Sequence, residues 1–175
     1  MKDRRLLVMG VSGAGKTTLA EALARRLGHA FIDADDLHPA GNRAKMAAGE
    51  PLNDADRAPW LDAVAQVISE WVATGQGGVI ACSALKRAYR DRLRAADPDL
   101  VTIYLDVEEA ELQRRLARRR GHFFPAELLV SQLAVLEPPT RDEGMVSVSG
   151  ELTLVDEAVE EIVQRLSSGS WITEL

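Results

Sequence analysis

At 175 residues, with 46% hydrophobic and 27% charged content, the chain has the material for one well-filled domain and an ordinary globular composition. Its formal charge of −6 repels phosphate polymers and anionic membrane surfaces, and no apolar run approaches the roughly 20 residues that cross a bilayer, so neither a nucleic-acid nor a membrane partner is expected. The single cysteine, Cys82, rules out an internal disulfide, and an N-terminus without leader character points to the cytoplasm.

In chain order, an apolar run at residues 6–9 reads as a buried strand and leads into Gly10-Val11-Ser12-Gly13-Ala14-Gly15-Lys16-Thr17, with Thr18 next. Two glycines flanking four residues, then Lys and a hydroxyl residue, form the phosphate-binding loop pattern. Glycines let the amides of Ser12, Gly13, Ala14 and Gly15 turn inward on phosphate oxygens at the start of a helix whose dipole adds to the attraction. Lys16 reaches the β- and γ-phosphates, and Thr17 is placed to ligate Mg2+. A helix with Leu19, Leu23 and Leu27 on one face follows and stops at Gly28.

A second strand over 30–32 delivers Asp33 and Asp35 to the carboxyl edge of the sheet, where extended backbone would aim both side chains the same way. Either one has the chemistry of a general base for an attacking hydroxyl, with the other assisting a metal through water, unless the pair serves as an Asx turn or helix cap. Residues 34–60 are polar and rich in Gly and Pro, with a short helical piece at 42–48, which suggests a substrate-binding insertion carrying His38 and Arg57. A core-facing helix is expected to start at Pro59, a residue suited to a first turn, and to carry Leu61, Val64, Ile68 and Trp71 inward.

A third strand at 79–82 ends in Ser83-Ala84-Leu85-Lys86, placing Lys86 to contact an anionic substrate unless it is simply a solvated lysine. A further helix carrying Tyr89 and Leu93, a strand at 100–105, a helix at 108–119 and another at 126–136 follow. In the basic helix Arg115 and Arg119 share a face, suited to neutralising a transferred phosphoryl group, unless they pair with Glu108, Glu109 and Glu111. Residues 114–126 are therefore expected to form a lid. A fifth strand at 145–148 and a last helix striped by Val155, Val159, Ile162 and Leu166 complete an α/β alternation that predicts a five-stranded parallel sheet covered on both faces.

Taken together, these residues resemble the small bacterial-type gluconate kinases, P-loop kinases with an adenylate-kinase-like, three-layer α/β fold and a helical lid. The resemblance is carried by 10–17, by Asp33-Ala34-Asp35-Asp36-Leu37-His38-Pro39, by 49–61 with its Pro59-Trp60-Leu61, and by Cys82-Ser83-Ala84-Leu85-Lys86 with Tyr89-Arg90-Asp91. Arg119-Arg120-Gly121-His122-Phe123-Phe124, Ser131-Gln132 and Leu136-Glu137-Pro138 extend it over about four-fifths of the chain. Ala34 stands where the family usually has Gly, and Ala14 where a small polar residue is common. The resemblance implies a single kinase domain over 1–175 that uses ATP and Mg2+ to phosphorylate D-gluconate at the 6-hydroxyl. It also implies a sugar-acid pocket drawing on Asp35, His38, Arg57, Lys86 and His122, and a homodimer. The alternatives are another small-metabolite kinase of shikimate-kinase type, which would carry a glycine triplet after the third strand, and a non-catalytic ATP switch.

Overall fold

The structure is a computed structural model that describes residues 3–118, 126–149 and 154–168. Five strands, β1 (Arg5–Met9), β2 (Ala30–Asp33), β3 (Gly78–Ala81), β4 (Val101–Asp106) and β5 (Met145–Ser149), form one sheet in the order β2-β3-β1-β4-β5. All four neighbouring pairs are parallel. The helices are α1 (Lys16–Leu27), α2 (Ala40–Ala47), α3 (Asp54–Thr74), α4 (Arg87–Ala96), α5 (Glu109–Arg118), α6 (Ala126–Val135) and α7 (Val155–Ser168). The expected three-layer architecture is therefore present.

The central strands read as continuous apolar runs because both faces of the sheet are covered. Leu6 and Val8 join Val79, Ile103 and Val146 in a core beneath α1 and α7, with Leu112 of α5 and Leu129 of α6. Their alternates Leu7, Met9, Ile80 and Tyr104 pack on the opposite face against Trp60, Leu61, Val64, Ile68 and Trp71 of α3 and Leu93 of α4. β2, at the sheet edge, is only half-buried throughout.

Two expectations are corrected. The long helix begins at Asp54 rather than Pro59, because Asn53 and Asp56 form a reciprocal capping box that satisfies the first amides; Pro59 lies inside the helix, in its second turn. The stretch after β2 is not extended: Ala34–Leu37 forms a 3-10 turn, so Asp33 and Asp35 do not share the alternation of a strand. Close packing also explains Gly78, where an added Cβ would lie 2.1–2.5 Å from the Trp71 ring.

Candidate active site

All the chemistry-bearing connections leave the carboxyl ends of the strands, the usual ligand edge of an open parallel sheet. After β1 the chain turns through Gly13 and Gly15, at φ 85° and 101°, into α1. No side chain caps α1 and its first turn holds no acidic residue, so the amides and positive dipole end stay available for an anion. Lys16 folds back over the loop, its Nζ donating to the Val11 carbonyl at 3.1 Å. Leu116 of α5 covers the loop so tightly that a Cβ on Gly13 would sit 3.0 Å from the Leu116 Cγ. Arg115 of the same helix donates to the Ala14 carbonyl at 3.1 Å and to Glu111 at 2.7 Å. Glu111 also pairs with Arg114, so part of the basic face is internally neutralised.

β2 supplies the next groups. Asp33 uses both carboxylate oxygens: Oδ2 accepts from the Thr17 hydroxyl at 2.8 Å, and Oδ1 accepts from the Asp35 amide at 3.0 Å, capping the 3-10 turn. This is the Asx-type cap that short polar residues favour, and here it also ties β2 to the phosphate loop. Asp35 points into the open cleft, 67% exposed. The protein packed around the cleft raises its pKa above 3.8 and the charge of Asp33 adds to this, against the opposing pull of Lys16 and His38. Water reaches the carboxylate, so the burial contribution is modest.

His38 is held from three sides. Its ring stacks on Trp60 with centroids 4.4 Å apart, its Nδ1 lies 3.3 Å from the Asn42 amide, and its Nε2 faces Asp35 at 3.9 Å. Burial is the main reason its pKa falls below 6.5, with Arg57 and Arg43 adding to the drop and Asp35 opposing it. Trp60 is in turn fixed by its indole N–H, which donates to the Ala34 carbonyl at 2.6 Å. Beyond His38, Asp54 at the start of α3 accepts from Lys86 at 2.8 Å through both oxygens and from the Tyr89 hydroxyl at 2.5 Å. These hydrogen bonds hold the Asp54 carboxyl below its ordinary range and raise the Lys86 ammonium. Arg57 lies 3.7 Å from Asp54, and both Arg57 and Lys86 sit over the Tyr89 ring at 6.0 and 5.6 Å. A line of polar groups thus runs from the phosphate loop through Asp35 and His38 to Arg57 and Lys86.

The connection bearing Lys86 is braced from below. Arg90, 1% exposed, donates to the carbonyls of Ala84 and Leu85 at 3.2 Å and pairs through two bonds, 2.6 and 2.8 Å, with equally buried Glu143. Ala84, fully buried, adopts φ 41°, a conformation that needs such bracing in a residue with a Cβ. On the other side of the loop, a cavity of about 240 Å³ opens between α1, α5 and the end of β5, lined by Gly15, Thr18, Leu105, Arg115, Val148 and Val155.

The AAA domain family matches residues 6–139. A gluconokinase from Gluconobacter oxydans (strain 621H) is 50% identical over 168 residues, covering 96% of this chain and 94% of that protein. The thermoresistant gluconokinase of Escherichia coli (strain K12) is 46% identical over 142 residues, 81% of each chain. The crystal structure of a gluconokinase from Sinorhizobium meliloti 1021 superposes with a TM-score of 0.83 at 41% identity, covering 95% of this chain and 93% of that one. The chain belongs to the gluconokinases.

Most of the groups singled out from the sequence of this gluconokinase therefore converge. Gly10 to Thr18 line the loop and helix start, Asp33 and Asp35 adjoin it, and His38, Arg57 and Lys86 extend the cleft. Arg119 and His122 lie outside the described residues. Three features carried no assignment in the sequence. Asp54 organises Lys86 and Tyr89, a role foreshadowed only by its place beside the Asn53 cap. Asn42 steadies His38 from one turn along the chain. Gln132, 120 residues from the loop, hydrogen-bonds Ser12, a pairing no local pattern announces. Cys82 is buried directly after β3, and burial pushes its thiol up to about 12, consistent with a purely structural role.

Proposed function

We propose that this gluconokinase transfers the γ-phosphoryl of ATP in line to the 6-hydroxyl of D-gluconate, with Asp35 as the base. The observation that carries the assignment is the division of labour between the aspartates: both Asp33 oxygens are engaged, while Asp35 is exposed to the cleft with its basicity raised. As the hydroxyl oxygen bonds to phosphorus, its proton passes to Asp35 and the bond to the bridging oxygen breaks, releasing ADP. The amides of Gly13, Gly15 and the first turn of α1 hold the phosphates together with Lys16, the Ser12 amide being taken by Gln132, and Arg115 turns from Ala14 and Glu111 to the charge on the moving group.

Thr17 and Asp33 fit a magnesium site, since a hydroxyl and a carboxylate 2.8 Å apart beside a phosphate cradle are hard oxygen donors that leave room for phosphate and water. Held there by Thr17 and Asp33, Mg2+ would supply positive charge against the phosphate oxygens. Arg57 and Lys86 take the gluconate carboxylate, and His38, neutral at pH 7, hydrogen-bonds a hydroxyl of the chain. The apolar cavity beside Gly15 and Val155 takes the nucleoside. Residues 34–60 act as the acceptor-binding segment, and 114–126, with Arg119 and His122, as a lid that closes on both substrates. No helix among the described residues is long and apolar enough to cross a membrane. A cytoplasmic location is supported by the single, buried thiol of Cys82, and the homodimer by the family resemblance alone.

The test is ADP release from magnesium ATP against gluconate, related sugar acids, glucose, shikimate and nucleoside monophosphates. Selective turnover of gluconate with a 6-phosphorylated product is expected. Turnover of shikimate in its place, or ATP binding with no transfer to any acceptor, would overturn it.

A further inference from the structure

Transfer between two bound substrates depends on how far apart their sites are held, and a misplacement of about 1 Å can lower the rate on the order of a hundredfold. α6 touches both halves of this site within six residues. At Gln132 it reads the phosphate loop: Oε1 accepts from the Ser12 amide at 2.7 Å, and Nε2 donates to the Ser12 hydroxyl at 2.9 Å. Just past its end, Glu137 grips the connection that carries Lys86 from both sides. Its backbone N–H donates to the Leu85 carbonyl at 2.9 Å, and its carboxylate accepts from the Arg87 amide at 2.6 Å, satisfying the open start of α4. The span between the two anchors is held: Leu133, Val135 and Leu136 pack against the core, and the Leu136 amide continues the helix by bonding to the Gln132 carbonyl.

We propose that the segment from Gln132 to Glu137 is a strut that sets the separation between the phosphate loop and the acceptor-binding connection, with both residues acting as positioning residues. The Gln132 side chain acts through Ser12 and the Glu137 carboxylate through the Arg87 amide, while the Glu137 backbone N–H holds the Leu85 carbonyl. The strut is fully assembled in the free protein. It rests on the phosphate loop and Lys86 serving ATP and gluconate, so the parent enzyme is assayed alongside the variants.

The experiment measures kcat and both KM values for Gln132→Ala, Glu137→Ala, Glu137→Gln and the Gln132→Ala/Glu137→Ala pair, with thermal midpoints for each. Each alanine variant is expected to lose kcat on the order of tenfold, with both KM values within about threefold of the parent, because substrates still bind but meet out of line. Glu137→Gln keeps an acceptor for the Arg87 amide and is expected to recover most of the loss. Since one broken anchor already frees the strut, the double variant is expected to lose far less than the product of the two single losses. Multiplicative losses, or a rise in KM with kcat intact, would overturn the proposal. So would losses that simply follow the unfolded fraction. If Gln132→Ala fails to fold, the Glu137→Ala and Glu137→Gln pair decides. A parent enzyme silent on gluconate would instead refute the functional assignment, a result distinct from either.

Discussion

Replacing Glu143 by Gln changes one atom in a pair that is 1% exposed on both sides. Burial alone would raise the Glu143 carboxyl, yet the hydrogen bonds and charge of Arg90, with the Thr140 amide, hold it below its ordinary value. The neutral amide leaves the Arg90 guanidinium in the core without its counter-charge and turns a donor toward a donor. Removing one partner of a buried pair typically lowers stability by about 3–5 kcal/mol. For a chain of this size, each kcal/mol moves the melting midpoint by roughly 2–4 °C, so a fall of roughly 6–20 °C is expected for Glu143→Gln. Calorimetry and denaturant titration supply the number. Because Arg90 also holds the Ala84 and Leu85 carbonyls, the gluconate KM is expected to rise while the ATP KM stays near its parental value. A loss below about 1 kcal/mol, the range of an exposed pair, with both KM values unchanged, would refute the bracing role.

Asp35→Asn is expected to lower kcat by about 10²–10⁴. In the parent, kcat/KM should fall as pH drops through the raised pKa of Asp35, placing the acid limb above that of a free aspartate at 3.8; a limb at or below that value would contradict the assignment. The same shift has a stability sign: ionisation is less favourable in the folded protein, so Asp35→Asn should melt slightly higher than the parent at neutral pH and no higher below pH 3, read by thermal scans at both. Lys86→Met should raise the gluconate KM on the order of tenfold and spare ATP, measured by initial rates with each substrate varied in turn. Gly78→Ala would drive a Cβ into the Trp71 ring and is expected to destabilise by about 1–3 kcal/mol without altering either KM, measured by denaturant unfolding.

Elements with a strong period and clear stops were legible from residues alone. The run Leu6 to Met9, the α1 stripe closed by Gly28 and the apolar faces of α3 and α7 all lie where their patterns placed them, because each pattern reflects one local cause. The start of α3 was misplaced because Pro59 is a conspicuous residue and the Asn53 and Asp56 box an inconspicuous one. Asp33 was legible as a site residue with a cap among its alternative roles, but the 3-10 turn it caps through the Asp35 amide also depends on Trp60 tying down Ala34, a contact 26 residues away. Arg90 and Glu143 stand 53 residues apart, and only the folded chain buries them together. Apart from the local capping box that starts α3, what the sequence hid was partnership across distant segments.

Those partnerships also bear on how the site meets its substrates. Among the described residues, every cation assigned to a substrate has an internal acceptor in the free protein: Lys16 the Val11 carbonyl, Arg115 the Ala14 carbonyl and Glu111, Lys86 and Arg57 the Asp54 carboxylate. Binding ATP and a sugar acid is then an exchange of one oxygen partner for another, not the filling of a bare positive cleft. Such an exchange returns less free energy than pairing a free charge, which keeps substrates from being held too tightly to turn over. It also holds the long side chains near their working positions beforehand, so less rotamer entropy is lost on binding. Asp54 illustrates the balance: with its carboxylate drawn between Lys86, Tyr89 and Arg57, it occupies the cation cluster in the way an acceptor's own carboxylate would. With Arg57 and Lys86 proposed to take the acceptor's carboxylate, an acceptor without one offers the cluster no equivalent exchange, so a much lower kcat/KM for glucose than for gluconate is expected.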